Sequence, residues 1–404
     1  MHRGSQRRRW TLLTIAFLAF VSLGLPDGLL GVGWPAISDE FEVPIAAVGF
    51  MLAVGTVGYL TSSVAGGFTI ARLGVGWLLT VSTVLAGSAL TGFALSPGFV
   101  VLVCLSLLLG LGSGAVDSGL NAYAAGAFGP RHMNWLHAFF GLGVAIGPLI
   151  MTAVLQAGMS WRWGYGIVAA SQLVLAVAFG LRVNAWGDRR PATNPSTGAA
   201  AAGGRARDTL TLPAVWIGGA WFAVYVAVEM GAGLWAYLLL TQGRGLGAAA
   251  AGVCVSAYWG SLFAGRLVFG LVAERVGSRR VLMSCQLAMV VGAGLTALPA
   301  PAAVTVAGLM VVGFAAAPVF PLMTLTTADR AGAPHADRAI GLQIGAAGLG
   351  GAVIPAGIGK LLEEYGAEWL GLSLLVASLL LIALYLVSDR RPATRVDARP
   401  PPGD

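Results

Sequence analysis

Charge is what this sequence is short of. Only 10% of its 404 residues are Asp, Glu, Lys or Arg, while 57% are hydrophobic. A soluble domain carries about 25% charged residues, so a water-facing globule is excluded. Cysteine is scarce as well. Cys104, Cys254 and Cys285 stand far apart inside apolar runs, with no spacing for a disulfide frame or a metal site. Catalytic motifs are missing too: there is no G-x-x-x-x-G-K-[ST], H-E-x-x-H or G-x-S-x-G. Gly359-Lys360 has Ile354 where the first P-loop glycine would stand and Leu361 after it. An ATP-driven pump, a zinc protease and a serine hydrolase each lose their signature. The expectation is no enzyme, no metal and no organic cofactor. The formal net charge of +7 sits in short loops and tails, which argues against a nucleic-acid partner.

What the chain has is long apolar runs. Each bilayer crossing needs about 20 apolar residues, and twelve such runs are found, at 11–37, 46–70, 76–96, 98–127, 134–157, 162–185, 213–240, 248–273, 280–299, 302–327, 338–361 and 367–388. They do not alternate as barrel strands do, so the fold class is an all-α membrane protein with twelve transmembrane helices. The basic-then-apolar start, MHRGSQRRRWTLLTIAFLAF, has the outline of a signal peptide. No A-x-A site follows and the run continues past Leu30, so it reads as the first span. Arginine is concentrated on one face: Arg3, Arg7, Arg8 and Arg9, the even-to-odd loops, and Arg390, Arg391, Arg395 and Arg399. The other face carries only Arg162, Arg244 and Lys360. The positive-inside rule then places both termini in the cytoplasm of a multi-pass protein of the cell (inner) membrane. Residues 186–212 are rich in Pro, Gly, Ser and Ala and read as a cytoplasmic linker. The expected organisation is a tail at 1–10, a six-helix bundle at 11–185, the linker, a second six-helix bundle at 213–388 and a tail at 389–404.

The halves echo each other. GFTIARLGVGW follows the second span and GLVAERVGSRR the eighth; aligning Arg72 with Arg275 pairs Gly67 with Gly270 and Gly74 with Gly277. Parallel halves at an offset of about 200 residues are the pattern of a two-bundle transporter. The second copy, Gly270-x-x-x-Glu274-Arg275-x-Gly277-x-Arg279-Arg280, resembles the loop motif of the major facilitator superfamily, and the resemblance covers essentially the whole chain. The first copy is degraded, with Ala71 in the acidic place and Gly76 and Trp77 in the basic ones. These loop charges are expected to lock helix ends in one conformer without touching solute.

Charge inside a span costs roughly 2.5–3.5 kcal/mol even on lenient scales, so such residues face a cavity, pair, or carry a proton. Three acids lie well inside spans: Asp27, Asp117 and Glu229. Asp27 is flanked by Pro26 and Gly28, where the helix is expected to be irregular. It reads either as a cavity acid or as a cap on backbone freed by the kink, and Trp34 follows two turns on. Asp117 and Asn121 share a face, as do Asn134, His137 and Gly141 of span five. Asp117 and His137 are expected to pair directly or through water, either in proton transfer or as a structural clasp. Glu229 sits among Tyr225, Trp235 and Tyr237, a setting that suits a sugar-like ligand, although aromatics near a helix end also form interface belts. Arg266 reads as an anion site, a counter-charge to Asp117 or a bundle-bridging residue. Tyr258, Trp259 and Gln343 are further cavity candidates, and Gln172 is another polar group inside a span. The proton-coupling candidates are Asp27, Asp117, Glu229 and His137.

Within the superfamily, LPDG in span one, DSGLN in span four, NWLH with GVAIGP in span five and YVAVEMGAGLW in span seven resemble the fucose–proton-symporter-like branch. That resemblance implies a monomeric secondary transporter of a small, sugar-like solute, working by alternating access within a lipid bilayer and coupled to protons or to sodium. Gly143-x-x-x-Gly147-Pro148 also resembles the first part of the span-five motif of drug–proton antiporters. Efflux of a drug-like or natural-product metabolite is therefore the alternative.

Overall fold

The structure, a computed structural model, describes residues 2–127, 130–186 and 206–389. The side chains of Asn134 and Glu274 lie outside the described residues, as do residues 187–205 of the expected linker and 390–404 of the expected tail. The helices are α1 (His2–Glu40), α2 (Val48–Leu73), α3 (Val75–Ala94), α4 (Phe99–Ala127), α5 (Pro130–Gln156), α6 (Arg162–Leu181), α7 (Pro213–Leu238), α8 (Ala248–Val276), α9 (Ser278–Ala297), α10 in two pieces (Ala302–Ala316 and Val319–Leu325), α11 (Ala336–Tyr365) and α12 (Trp369–Asp389). Among the described residues, twelve helices are long and apolar enough to cross a bilayer. Many large apolar side chains are exposed, such as Phe68, Val174, Leu181 and Leu271. Such a surface is a liability in water and a match for lipid.

Helices α1–α6 pack as one bundle and α7–α12 as a second, and the two meet along α1/α7, α2/α11 and α5/α8. Within each bundle small residues bring backbones together, as is usual where hydrocarbon supplies no hydrophobic drive. A methyl placed on Gly110 would lie 2.0 Å from the carbonyl oxygen of Gly55, and one on Gly143 2.0 Å from that of Val21. The internal repeat is physical as well. Gly74 and Gly277 end α2 and α8 at φ 79° and 94°, and their N–H groups cap the carbonyls of Ile70 and Ala273. A side chain at either position would be strained, which explains the two loop glycines of the motif.

The repeat also closes one end. We call the end where α1 begins the near end and the opposite one the far end. At the far end of the first bundle, Arg162 pairs with Glu40 and donates to the Ser96 carbonyl at 2.9 Å, while Trp161 Nε1 donates to Glu40 at 2.6 Å. In the second bundle Arg244 donates to Thr305 Oγ1 and to the Leu298 carbonyl, both at 2.8 Å. The two arginines of the charge-poor face are thus bundle ties, each ending on the turn that follows the third helix of its bundle.

The seam between bundles is shut in its far half. Gly31 of α1 crosses Gly233 of α7 so closely that a methyl on Gly31 would sit 2.8 Å from the Gly233 carbonyl oxygen. Gly49 meets Ala356, Gly252 meets Thr152, and Ser256 Oγ donates to the Ala145 carbonyl at 2.6 Å. Contact between α2 and α11 continues to Thr56 against Gly348. Nearer the termini, a methyl on Gly67, Gly270, Gly341 or Gly345 would meet nothing within 4 Å. The seam therefore opens toward the near end.

Two sequence expectations need correction. Proline does not disrupt α1, which runs unbroken through Pro26 and Pro35. Pro26 lacks the N–H that would bond the Ser22 carbonyl, and Gln172 Nε2 of α6 supplies a donor there at 3.1 Å. Asp27 is thus not needed as a cap. In α10, by contrast, the helix does break, between Ala316 and Val319 at Pro318, while Pro321 lies inside the second piece.

Because the Gly31–Gly233 crossing has no room for a side chain, Gly31→Val should force the far half of the seam apart. A cysteine placed at Thr152 should then react with a membrane-impermeant maleimide, and should not do so with Gly31 intact. Equal labelling in the two backgrounds would mean that the crossing does not hold the seam.

Candidate functional site

Asp27 lies one turn before Gly31, and Glu229 one turn before Gly233. The two acids therefore occupy matching places in the two bundles, just below the closed crossing. Their surroundings differ. Asp27 is exposed although it sits in the middle of α1, because it faces the open part of the seam. It makes no hydrogen bond or ion pair with another described residue. Tyr59 of α2 and Tyr165 of α6 lie within electrostatic reach of it. Gly28, next in sequence, packs on the Val144 carbonyl and Pro148 of α5. Asp27 is thereby held by close backbone packing while its side chain stays accessible from the open part of the seam.

Glu229 is nearly buried. Tyr225, one turn before it, is in hydrogen-bond contact with its Oε2, and Arg266 Nη2 stands 3.5 Å from its Oε1. Tyr258 donates to the Glu229 backbone carbonyl at 2.7 Å. Arg266 itself reaches across the seam, with Nη1 3.7 Å from where a methyl on Gly141 of α5 would lie. It is both an ion-pair partner and a residue of the bundle interface.

Asp117 does not meet His137. Among the described residues neither a hydrogen bond nor an ion pair joins them. Tyr59 donates to Asp117 Oδ2 at 2.6 Å and Asn121 Nδ2 to Oδ1 at 2.9 Å. The cause is the glycine stripe before the acid. Gly110 and Gly114 press α4 against the backbone of α2 at Gly55 and Tyr59, while Gly112 and Gly119 pack on α3. One turn beyond Gly114, Asp117 therefore faces α2. His137 is exposed on α5, with its ring edge-on to Phe20 at 5.3 Å. It lies within electrostatic reach of both Asp117 and Arg266.

Several aromatic and amide candidates are not at the open seam. Trp34 is buried at the far end and donates to the Ile45 carbonyl at 2.8 Å. Trp235 donates to the Pro355 carbonyl at 2.9 Å, tying α7 to α11. Trp259 lies on Gly233. Gln343 is buried and accepts from Thr327 at 2.9 Å. Arg72, Arg275 and Arg280 are exposed and make no hydrogen bond or ion pair with another described residue. Tyr59 and Tyr165 were missed by sequence reasoning. A tyrosine inside a span signals only that its hydroxyl needs a partner, which marks the residue without identifying that partner.

Removing the Tyr59 hydroxyl isolates what it does for Asp117. Tyr59→Phe should lower stability by about 1–2 kcal/mol, because the half-buried carboxylate loses a charge-assisted donor. Thermal unfolding of the solubilised full chain measures this, and an unchanged midpoint would show that the contact carries no stability.

A family model described as Major Facilitator Superfamily matches residues 12–268 and 221–402. The glucose/mannose transporter GlcP of Bacillus subtilis (strain 168) is 23% identical over 357 residues, which are 85% of this chain and 86% of that protein. The 3-(3-hydroxy-phenyl)propionate transporter of Escherichia coli (strain K12) is 27% identical over 39% of this chain. The hexuronate transporter of Bacillus subtilis (strain 168) is 24% identical over 41%. Each of these last two matches spans 40% of the relative's own length. A crystal structure of the nucleoside transporter NupG shares the fold with a TM-score of 0.75 at 13% identity, over 94% of this chain and 99% of that one. The chain is a member of the Major Facilitator Superfamily.

Proposed function

We propose that this protein is a secondary active transporter of a small polar, sugar-like solute, working by alternating access and driven by protons, with both termini in the cytoplasm. The observation that carries the reading is Asp27: an acid without a fixed partner, exposed at mid-span, in a seam closed on one side and open on the other. A carboxylate so placed can exchange a proton or a solute with the open side and is screened from the other. Relatives named for glucose, mannose and hexuronate support the solute class. The glycines of the partial antiporter motif, Gly143 and Gly147, are occupied in packing α5 against Val21, Leu25 and Gly28 of α1, so that motif adds nothing for efflux.

The test starts with a thermal-shift screen of the purified full chain against sugars, sugar acids, amines and lipophilic cations. In proteoliposomes Asp27→Asn should still exchange a hit across the membrane but should no longer concentrate it against a pH gradient. Undiminished accumulation would remove Asp27 as the coupling group. Hits confined to lipophilic cations would replace the solute class.

A further inference from the structure

Among the described residues three glutamines are buried inside spans: Gln172 of α6, Gln286 of α9 and Gln343 of α11. Two of them are bonded. Gln172 donates to the Ser22 carbonyl, and Gln343 accepts from Thr327. Gln286 differs. It is 0% exposed, and neither its amide oxygen nor its amide nitrogen has a hydrogen-bond partner among the described residues. A side-chain amide carries two donor hydrogens and an acceptor oxygen. Leaving them unmet inside a span is costly, because hydrocarbon offers no substitute.

Two more buried groups share this condition. The indole N–H of Trp221 on α7 and the hydroxyl of Ser378 on α12 are fully buried and have no hydrogen-bond partner among the described residues. Residues of the same kind elsewhere in the spans are satisfied. Trp34 and Trp235 are as deeply buried, and each donates to a backbone carbonyl. Buried Ser106 donates to the Leu102 carbonyl, one turn before it, at 2.8 Å.

The three groups converge on the inner face of α12. A methyl on Gly371 of α12 would lie 2.4 Å from the Cα of Ala297, at the far end of α9. The two helices run antiparallel from that crossing. Gln286 lies three turns before Ala297 and on the same face; Ser378 and Tyr385 lie two and four turns after Gly371, also on the same face. The rise of a helix then places Gln286 between Ser378 and Tyr385, roughly 5 Å along the axis from each. Trp221 packs on Tyr385, with ring centroids 5.2 Å apart. The second piece of α10 touches both α7 and α9. Offsets of roughly 5 Å are too long for a direct hydrogen bond and match the span of one bridging water. At the near end half-buried Arg330 lies over the Trp221 ring, 4.8 Å from its centroid.

We propose that the second bundle holds a buried water site among α7, α9 and α12, organised by the Gln286 amide. Water fits because these groups present donors and an acceptor together and carry no charge. It accepts from Trp221 Nε1 or Gln286 Nε2 and donates to Gln286 Oε1 or Ser378 Oγ. A bare cation would leave the two N–H donors unmet. The site lies apart from Asp27 and the seam, and it does not rest on what the protein transports.

Radiolytic hydroxyl labelling in heavy-oxygen water tests it, because a buried side chain is oxidised readily only where a water lies beside it. In the purified full chain Trp221 and Tyr385 should take up label several-fold faster than Trp235, which is equally buried and already bonded. Gln286→Leu should remove that excess. Ser378→Ala should lower it, and is the second variant if Gln286→Leu folds poorly. A Trp221 as inert as Trp235 overturns the site. A cryo-EM map of the full chain sharp enough to show waters should carry a peak within about 3.2 Å of the Gln286 amide. A map that shows ordered waters elsewhere and none there overturns it as well. An unfolding midpoint raised by sodium chloride over choline chloride, in wild type but not in Gln286→Leu, would replace water by a cation.

Discussion

A backbone carbonyl cannot be left bare in hydrocarbon, and a proline inside a span leaves one for a neighbouring helix to satisfy. Pro26 frees the Ser22 carbonyl in α1, and Gln172 of α6 bonds it. At the break in α10, Tyr225 of α7 donates to the Ala316 carbonyl. Both bonds come from a neutral side chain of a neighbouring helix. Each also fixes the helix that carries an acid. The first leaves Asp27 uninvolved and facing the open seam. The second runs through a residue that touches Glu229 directly.

The pseudo-symmetry of the bundles explains why the two acids differ so instructively. Both stand one turn before a glycine at the α1/α7 crossing, so both lie beside the point on which the halves meet. Asp27 has only electrostatic neighbours, two tyrosines at a distance. Glu229 has a tyrosine, an arginine of α8 in its own bundle and a second tyrosine on its own carbonyl. One position exposes charge to the cavity and the other buries it within a network. A buried network of this kind is costly unless every member is satisfied.

Much of the fold was legible in the sequence. Apolar runs of span length, separated by polar breaks, leave only a helical bundle as a way to satisfy the backbone. The offset of Arg72 to Arg275 predicted two related halves, and Gly74 and Gly277 both have the positive φ that only glycine adopts freely. Less of the site was legible. Helical spacing correctly placed Asn121 with Asp117, because four residues make one turn. It did not reveal that the face they share meets Tyr59 of α2. That choice depends on which of Gly110, Gly112, Gly114 and Gly119 packs on which neighbour, and one sequence does not record the rotation of a helix about its axis. Trp34 and Trp235 looked like ligand-stacking residues and instead bond backbone carbonyls at the closed end, because an indole N–H in a span must find an acceptor.

The sequence by itself determined that the chain spans a membrane twelve times, in two related halves, with three acids inside the spans. Hydropathy and periodicity are properties of each helix alone, so one helix at a time suffices to read them. Only the tertiary structure decided which acid is free, which is clasped and which is bonded through a tyrosine to a broken helix. Those distinctions arise where backbones from different helices approach within a glycine's width, and contact at that range belongs to the packed molecule.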